Sequence, residues 1–371
     1  MAFFISTVAF IILLTLLILI HEWGHYICAR LLGVEVEEFG FGLPPRAKKL
    51  FKRKGTLFSL NWIPFGGFVR LKGENAIDLE SRYAKGSFGH APIPSRILIL
   101  CGGVLMNFLL AFTLLTFGFS VGRWIPNFYS SIDELQQAAS RGEISVKFGV
   151  YINEVLPDGG AAKAGIQKDT MVKAIDGKEI KSPEELVALQ KGKQDVEYTI
   201  VEEKTQTERK VNVAIDSEGR SGIAISAFAT ELSAPHRSFG QAVVLALKET
   251  KFMTIQTIKG MGNLVRSLVT RGHVPEGITG IVGIAVLTSG AVQEGLMTYL
   301  RLVALLSLSL AILNILPLPA LDGGRLLFVL AEMVRRKPLN QRFEMMTNTI
   351  GFFLLIGLIL IITYNDVIQL F

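Results

Sequence analysis

Residues 1–25 read MAFFISTVAFIILLTLLILIHEWGH, in which twenty uncharged, mostly apolar residues run directly into a His-Glu-x-x-His motif. His21 and His25 are four residues apart, so they lie on one face of a helix and both imidazoles can bind one metal ion. Glu22 stands beside them as a candidate general base. Ionisable groups are costly in hydrocarbon, so three of them within five residues need a compensating partner, and zinc is the obvious one. The alternative is a chance occurrence of the motif in a soluble loop.

The composition of the 371-residue chain is that of a membrane protein with a soluble part: 50% of the residues are hydrophobic, 19% are charged, and the mean hydropathy is +0.43. The net charge of +6 and the pI near 9.2 could indicate nucleic-acid binding. The charges, however, cluster at the predicted membrane edges and lack interleaved aromatic residues, so we expect no nucleic acid as a partner. The two cysteines, Cys28 and Cys101, lie in or beside apolar stretches and predict no structural disulfide.

Four stretches are long enough to cross a bilayer, for which about 20 apolar residues are needed. They are residues 1–32, 96–122, 297–321 and 345–366. A fifth uncharged run, 277–293, is short and rich in glycine, so we expect it to be interfacial or re-entrant. The first stretch lacks the basic start and the Ala-x-Ala site of a cleaved signal peptide, so we expect it to be retained.

Basic residues in short loops predict the orientation in the membrane. Loops 33–95 and 322–344 are rich in lysine and arginine, whereas the two chain ends contain none. Both loops are therefore predicted to be cytoplasmic, and both chain ends and residues 123–300 to lie outside the cytoplasm. His21 lies roughly 14 Å along its helix from Arg30, at about 1.5 Å per residue, which places the metal site in the cytoplasmic half of the membrane.

A hydrolytic zinc site usually has three protein ligands, and the two histidines supply two of them. The third predicted span closes with residues 314–324, NILPLPALDGG. Its prolines break the helix and its glycines allow close approach of the backbone, at the same predicted depth as the motif. Asp322 is therefore the predicted third ligand. Its alternative role is to cap the N-terminus of a following helix, 323–334.

HEWGH in the first span, NILPLPALDGG in the third and a domain inserted between the second and the third resemble the site-2 protease family. The resemblance covers essentially the whole chain and is strongest to the bacterial regulator of sigma-E protease type, which processes membrane-bound anti-sigma factors. It implies that His21, His25 and Asp322 bind Zn2+. It also implies that Glu22 activates water and that Asn314 helps to hold the substrate strand. Many relatives carry two PDZ domains, whereas one is recognised in this sequence. A substrate filter built from two such domains is therefore in doubt for this chain.

Residues 148–226 alternate between short apolar strands and helices and resemble the circularly permuted bacterial PDZ domain. Residues 182–185, SPEE, have the pattern of a capping box with proline at the first helical position. PDZ domains bind extended peptides by strand addition, so the resemblance implies a groove for peptide C-termini between 149–155 and 183–190. The alternative is a domain that only blocks the entrance to the active site.

In the first cytoplasmic loop, apolar residues 57–63 and 68–71 flank the turn Pro-Phe-Gly66-Gly67 and predict a β-hairpin. Such a hairpin dips towards the active site in related proteases, which implies that it can pair with an unwound substrate and that Gly66 and Gly67 help to position it. Residues 40–42, Gly-Phe-Gly, could belong to the same sheet. The alternative is that the aromatic side chains of this loop only anchor it at the membrane interface.

Residues 238–269 carry apolar side chains at helical spacing opposite lysines and arginines. This pattern is typical of a helix that lies on a membrane surface, and packing against the PDZ-like domain is the alternative.

The predicted fold class is a multi-pass α-helical membrane protein with four transmembrane helices, a cytoplasmic membrane-associated β-hairpin and one inserted extracytoplasmic α/β PDZ domain. The expected function is that of a zinc-dependent intramembrane metalloendopeptidase of the bacterial inner membrane, which cuts single-span proteins such as an anti-sigma factor after a first extracytoplasmic cut. The alternatives are a clean-up peptidase for remnant signal peptides and an inactive PDZ scaffold. The predicted segments are 1–32 (first span), 33–95 (cytoplasmic loop with the hairpin), 96–122 (second span), 123–147 (linker), 148–226 (PDZ domain), 235–296 (amphipathic or interfacial helices), 297–321 (third span), 322–344 (cytoplasmic loop) and 345–366 (fourth span).

Overall fold

Two regions of the chain fold as separate units, Met1–Gly122 with Phe239–Phe371, and Arg123–Ser238. The computed structural model describes residues 2–74, 76, 78–129, 131–202 and 207–369, so both chain ends, on which part of the predicted orientation depends, lie outside the described residues. The first unit contains α1 (Ala2–Leu31), β1 (Val36–Arg53), β2 (Thr56–Leu71), α2 (Leu79–Tyr83), α3 (Ile93–Ser120), α7 (Phe239–Arg271), α8 (Ile281–Glu294), α9 (Leu296–Ile315), α10 (Asp322–Arg335) and α11 (Gln341–Gln369). The second contains α4 (Ile132–Ser140), β3 (Ser145–Val155), α5 (Gly160–Lys163), β4 (Thr170–Ile175), β5 (Lys178–Glu179), α6 (Pro183–Gln190), β6 (Asp195–Glu202), β7 (Glu208–Ala214) and β8 (Ile223–Ser233).

Four helices in the described part of the chain, α1, α3, α9 and α11, are long and apolar enough to cross a membrane. Uncharged apolar runs form helices in hydrocarbon because a helix satisfies its backbone N–H and C=O groups within the segment. The four helices correspond to the four predicted spans. However, α9 ends at Ile315 rather than at residue 321, because Pro317 and Pro319 cannot continue a helix.

The helices α1 and α3 cross at a contact between glycines. A Cβ atom on Gly24 would lie 2.1 Å from the carbonyl oxygen of Gly102, and one on Gly102 would lie 2.7 Å from that of Gly24. Helix backbones can approach this closely only where side chains are absent. Gly24 directly precedes His25, so the crossing brings the motif face of α1 against α3.

The strands β1 and β2 form a folded sheet whose pairing differs from the predicted hairpin. Residues 38–41 pair with residues 67–70 in antiparallel order and, on their other side, with residues 57–60. The two segments that were predicted to pair with each other are therefore separated by 38–41. The turn between β1 and β2 lies at Lys54 and Gly55, which both have positive φ, and the predicted hairpin turn at 64–67 is wrong. The sequence pattern marks the strands, but the pairing depends on partners that are distant in sequence. The predicted membership of residues 40–42 in the sheet is confirmed.

Glu38 fixes the middle of this sheet. Its buried carboxylate accepts hydrogen bonds from Ser59 Oγ at 2.7 Å and from the Arg46 guanidinium, and so ties the segment 57–60 and the later part of β1 to 38–41. Burial disfavours the ionised carboxyl, but the hydrogen bonds from Arg46 and Ser59 outweigh it and lower the pKa of Glu38 below its ordinary value.

Ion pairs hold the helix α10, which follows the third span, and the start of α11. Arg96 of α3 donates to Glu332 of α10 at 2.5 Å, and both side chains are buried. Arg82 of α2 donates to Glu344 of α11 at 3.1 Å. The segment predicted as a cytoplasmic loop, 322–344, thus contains a helix that is anchored to α3.

The helices α7 and α8 complete the first unit. The amphipathic α7 packs against α3 and α9. The helix α8 is formed by most of the short uncharged run 277–293 and packs against α1, α9 and α11. Asp366 of α11 accepts hydrogen bonds from the backbone N–H groups of Gly280 and Gly283, at 3.0 and 2.9 Å. Its buried carboxylate therefore caps the N-terminus of α8 from a neighbouring helix.

In its described residues, the second unit is a sheet of strand order β7-β6-β4-β3-β8, with β5 paired to β4, and three helices. Its core includes the apolar faces of β3, β4, β6 and α6. It is larger than the predicted 148–226. The helix α4, with a capping box between Ser131 and Glu134, lies in the predicted linker 123–147, and β8 continues to Ser233.

Ser182 caps α6 as predicted, because its hydroxyl accepts the Glu185 N–H at 3.2 Å. The reciprocal bond of the predicted box differs. The Glu185 carboxylate accepts the N–H of Lys181, one residue before the cap, at 2.9 Å.

The predicted peptide-binding strand, 149–155, is wrong, because β3 already pairs with β4 on one side and with β8 on the other. The strand β8 ends the sheet and contacts α6. Tyr198 Oη donates to Gln190 Oε1 at 2.6 Å, and Gln190 Nε2 donates to the Gly219 carbonyl at 3.0 Å, which ties α6 to the loop before β8. Burial raises the pKa of Tyr198 to about 12, so its hydroxyl remains a donor.

Candidate metal centre

Three candidate ligands converge where α1 meets the start of α10. His21 Nε2 lies 2.9 Å from Asp322 Oδ2 and 3.2 Å from His25 Nε2, and His25 Nε2 lies 3.1 Å from Asp322 Oδ2. The Asp322 side chain is only 17% exposed and the histidines less. Ligand atoms on a tetrahedral zinc ion, with bonds of about 2.0–2.2 Å, lie about 3.3 Å apart. The three atoms therefore have the spacing of a zinc site.

The hydrogen bonding of His25 leaves its ligand atom with a lone pair. His25 Nδ1 lies 2.8 Å from the carbonyl oxygen of Ile99, to which the ring can only donate a proton. Nε2 of the neutral ring is then an acceptor, yet it faces the carboxylate of Asp322. Two buried acceptors at this distance repel each other unless a proton or a cation lies between them. A histidine that donates the N–H of its non-ligating ring nitrogen to a carbonyl is typical of metal sites, so the residues fit a zinc ion.

Gly103 of α3 makes room for the centre. A Cβ atom on Gly103 would lie 2.5 Å from His25 Nε2 and 2.8 Å from His21 Nε2. Any larger residue would press on both imidazoles, so α3 contributes space rather than a ligand. The sequence reasoning missed this residue, although a Gly-Gly pair inside an apolar span is a signal of close helix packing.

Asp322 is the first residue of α10 and does not cap it. The N-cap is Leu321, and no side chain among the described residues caps this end. The alternative in which Asp322 serves only as a helix cap is therefore wrong. Ala320, two residues before Asp322, has a φ of 70° and donates its N–H to Asn348 Oδ1 at 3.2 Å. This hydrogen bond holds the turn that directs Asp322 towards α1.

Glu22 lies beside the sheet. Its Oε2 accepts a hydrogen bond from the backbone N–H of Val69 at 2.9 Å. Val69 belongs to the segment 67–71, which pairs with β1 and, in the described part of the chain, with no other strand. The carboxylate of Glu22 is therefore located where an edge of the sheet meets the metal centre. The sequence reasoning missed Val69, because a backbone donor has no residue signature.

The other predicted site residues lie close to the same helices. A Cβ atom on Gly66 would lie 3.0 Å from Ile18 Cδ1, and one on Gly67 would lie 2.7 Å from Leu19 Cδ2, so both glycines pack on α1 about one turn before Glu22. Asn314 lies in the last turn of α9 and is half-buried.

Comparison with known proteins gives a consistent match along the chain. Residues 9–358 match peptidase family M50. A Clostridium perfringens protein named "Putative zinc metalloprotease CPE1693" is 31% identical over 357 residues, which cover 95% of each chain. The zinc metalloprotease RasP of Geobacillus kaustophilus is 27% identical, with 99% of this chain and 98% of the relative covered. The regulator of sigma-W protease RasP of Bacillus subtilis is 25% identical, with 99% and 100% covered. This chain therefore belongs to peptidase family M50, the site-2 protease family, and is a zinc metalloprotease.

Proposed function

We propose that the protease cuts transmembrane segments of single-span membrane proteins after a first cut has shortened their outer domains. The supporting observation is the location of the metal centre. His21 and His25 lie on α1, a helix apolar enough to cross a membrane, and Glu22 lies next to a sheet edge. Peptide bonds in a transmembrane helix are shielded and hydrogen-bonded, so the substrate must unwind before it is cut.

The residues of the centre have complementary roles in this proposal. His21, His25 and Asp322 hold the zinc ion, which, when bound, polarises the peptide carbonyl and lowers the pKa of water. Glu22 accepts the proton of the attacking water and passes it to the leaving amine. The N–H of Val69 holds one carboxylate oxygen of Glu22 and thereby fixes the direction of the other.

The unwound substrate pairs with the sheet in this proposal. The segment 67–71 offers its outer edge beside Glu22, and Gly66 and Gly67 bring the strand close to α1. Backbone pairing satisfies the N–H and C=O groups that unwinding exposes in the membrane. Asn314, in the last turn of α9, helps to hold the same strand.

The proposed substrates are regulatory membrane proteins such as an anti-sigma factor. The Bacillus subtilis relative is named a regulator of sigma-W protease, which supports this class. Signal-peptide remnants are a second candidate class, because they are also short apolar helices without an outer domain. The intact set of His21, Glu22, His25 and Asp322 argues against an inactive scaffold.

The inserted unit acts in this proposal as a PDZ domain that controls which substrates reach the centre. The sheet order, and the helix α6 beside the terminal strand β8, support the PDZ assignment and a groove for peptide C-termini.

Replacing residues 124–237 by a flexible Gly/Ser linker should test this control. If the unit excludes large outer domains, the shortened enzyme should cut single-span substrates with intact outer domains as fast as it cuts shortened ones. Rates should be measured for both substrates in proteoliposomes. An equal loss of activity on both substrates would show instead that the unit recruits substrate or supports folding.

The predicted orientation places 33–95 and 322–344 in the cytoplasm of a bacterium and the inserted unit outside it, at the inner membrane. In a background without Cys28 and Cys101, Lys52→Cys and Arg336→Cys should react with a membrane-impermeant thiol reagent only after the cytoplasmic face is opened. Lys193→Cys, on the inserted unit, should react in intact spheroplasts. The reverse labelling pattern would contradict the orientation.

A further inference from the structure

Asn107 of α3 is a completely buried amide without a hydrogen-bond partner for its side chain. It is 0% exposed, and neither Oδ1 nor Nδ2 is bonded within the described part of the structure. Its backbone carbonyl accepts a hydrogen bond from Ser307 Oγ of α9 at 2.9 Å. Each buried polar group without a partner costs about 1–3 kcal/mol, whereas leucine has a similar size and no such cost. The amide is therefore costly at this position unless it binds something.

The position of Asn107 relates it to the metal centre. Gly103, four residues earlier on α3, faces both histidines, and Ala111, four residues later, packs on Leu308 and Ile312 of α9. Residues four apart share a helix face, so Asn107 lies inside the bundle of α1, α3 and α9. Four residues of helix correspond to about 6 Å, which places Asn107 that far from Gly103 along α3.

We propose that Asn107 binds the backbone of the substrate about two residues from the bond that is cut. A side-chain amide can accept from a peptide N–H and donate to a peptide C=O, as a neighbouring strand does. Two residues of extended chain span about 6.6 Å, which matches the distance between Asn107 and the level of the histidines. Asn107 is thus a substrate-binding residue, and this role rests on the proposed peptide hydrolysis at the metal centre.

The membrane setting explains why such a group is required. An extended peptide presents N–H and C=O groups on both of its sides, and hydrocarbon offers no partner for either. The segment 67–71 pairs with one side of the substrate strand. Asn107 bonds the substrate N–H and C=O groups that face away from the sheet, about one helical turn along α3 from the metal centre.

The variant Asn107→Leu removes both hydrogen-bonding atoms at nearly constant volume. Because the amide has no partner in the described part of the chain, zinc content should equal that of the wild type, and thermal stability should be equal or higher, since the substitution removes a buried unpaired group. Asn107→Leu is made in two backgrounds. In the inactive Glu22→Gln protein it should weaken the binding of a synthetic transmembrane peptide about 10- to 100-fold, and with Glu22 intact it should lower kcat/KM by the same factor, as expected for leaving one or two buried groups unpaired. If the leucine variant unfolds, Asn107→Ala serves in its place.

Thr116→Val is the matched control. Thr116 lies on the same helix, is buried, and also has an unbonded side-chain oxygen, but it is nine residues further along α3, about 13 Å away. Its replacement should leave peptide affinity, kcat/KM and zinc content unchanged.

Substrate peptides in which single amides are replaced by esters give a readout that a structural role would not change. In the Glu22→Gln protein, the ester that removes the N–H bound by Asn107 should lower affinity about tenfold. When Asn107→Leu is added, the same ester should have no further effect. The proposal is overturned if Asn107→Leu binds and cuts the peptide like the wild type, or if every ester has the same effect in both proteins. If the wild type and Glu22→Gln process the peptide equally, the proposed hydrolysis itself fails, and the two failures are thereby distinguished.

Discussion

Glu22→Gln should retain a full equivalent of zinc and lose about 10²- to 10⁴-fold in turnover, the usual contribution of a general base. The proposed zinc ligands are His21, His25 and Asp322, whose ligand atoms lie within 4.8 Å of one another, so the substitution should leave the metal centre intact. Glutamine keeps the size of the side chain and can still accept the Val69 N–H, but it cannot take a proton from water. Zinc content by elemental analysis and single-turnover cleavage of a transmembrane peptide are the measurements.

Glu37→Gln is the matched control for this prediction. Glu37 is an exposed carboxylate of β1 in the same unit, and its neutralisation should change neither zinc content nor rate. Stoichiometric loss of zinc from Glu22→Gln would make Glu22 a ligand and contradict the role as a base.

The convergence of His21, His25 and Asp322 could be predicted from sequence because each of these residues carries a local signature. The histidines are four apart in a helix, and Asp322 follows a proline-broken span end at matching depth. The apolar runs also predicted the four long helices, because a helix is one of the few structures in which every backbone N–H and C=O group is hydrogen-bonded in hydrocarbon. Local chemistry and the bilayer were sufficient for these elements.

The sheet could not be predicted in the same way. Residues 57–60 and 67–70 both alternate like strands, but each pairs with residues 38–41, on opposite sides. The pairing with 57–60 is stabilised by the buried Glu38, which accepts hydrogen bonds from Ser59 of that segment and from Arg46 of β1. The pleat of a strand identifies its faces, whereas the choice of partner depends on contacts that are distant in sequence.

Residues that supply space or backbone groups were also missed. Gly103 acts through the atoms that it lacks, and Val69 through an N–H that every residue other than proline has. Asn107 is one of several uncharged polar residues in an apolar span, and it stands out by its complete burial without a side-chain partner among the described residues. Such roles become visible only when the neighbouring helices are in place.

Asp322→Asn should lose most of its zinc at limiting metal and lower activity by more than about 100-fold, which exceeds the usual effect of changing a residue behind the ligands. The carboxylate of Asp322 faces both imidazoles within 3.1 Å, and an amide replaces this anionic ligand with a weak neutral one. The fold should be retained, because Asp322 does not cap α10 and Arg96 still anchors that helix through Glu332.

Asp366→Asn gives the contrast that separates a ligand from a cap. Asp366 is also a buried aspartate of the first unit, but its carboxylate caps α8. An asparagine cap is nearly as good, so this variant should keep its zinc and activity and lose about 1 kcal/mol of stability or less. Asp322→His should recover part of the zinc, since imidazole is a good ligand, although its bulk displaces the metal. Wild-type zinc retention and activity in Asp322→Asn would contradict the assignment of Asp322 and direct the search for the third ligand to Asn314, in the last turn of α9.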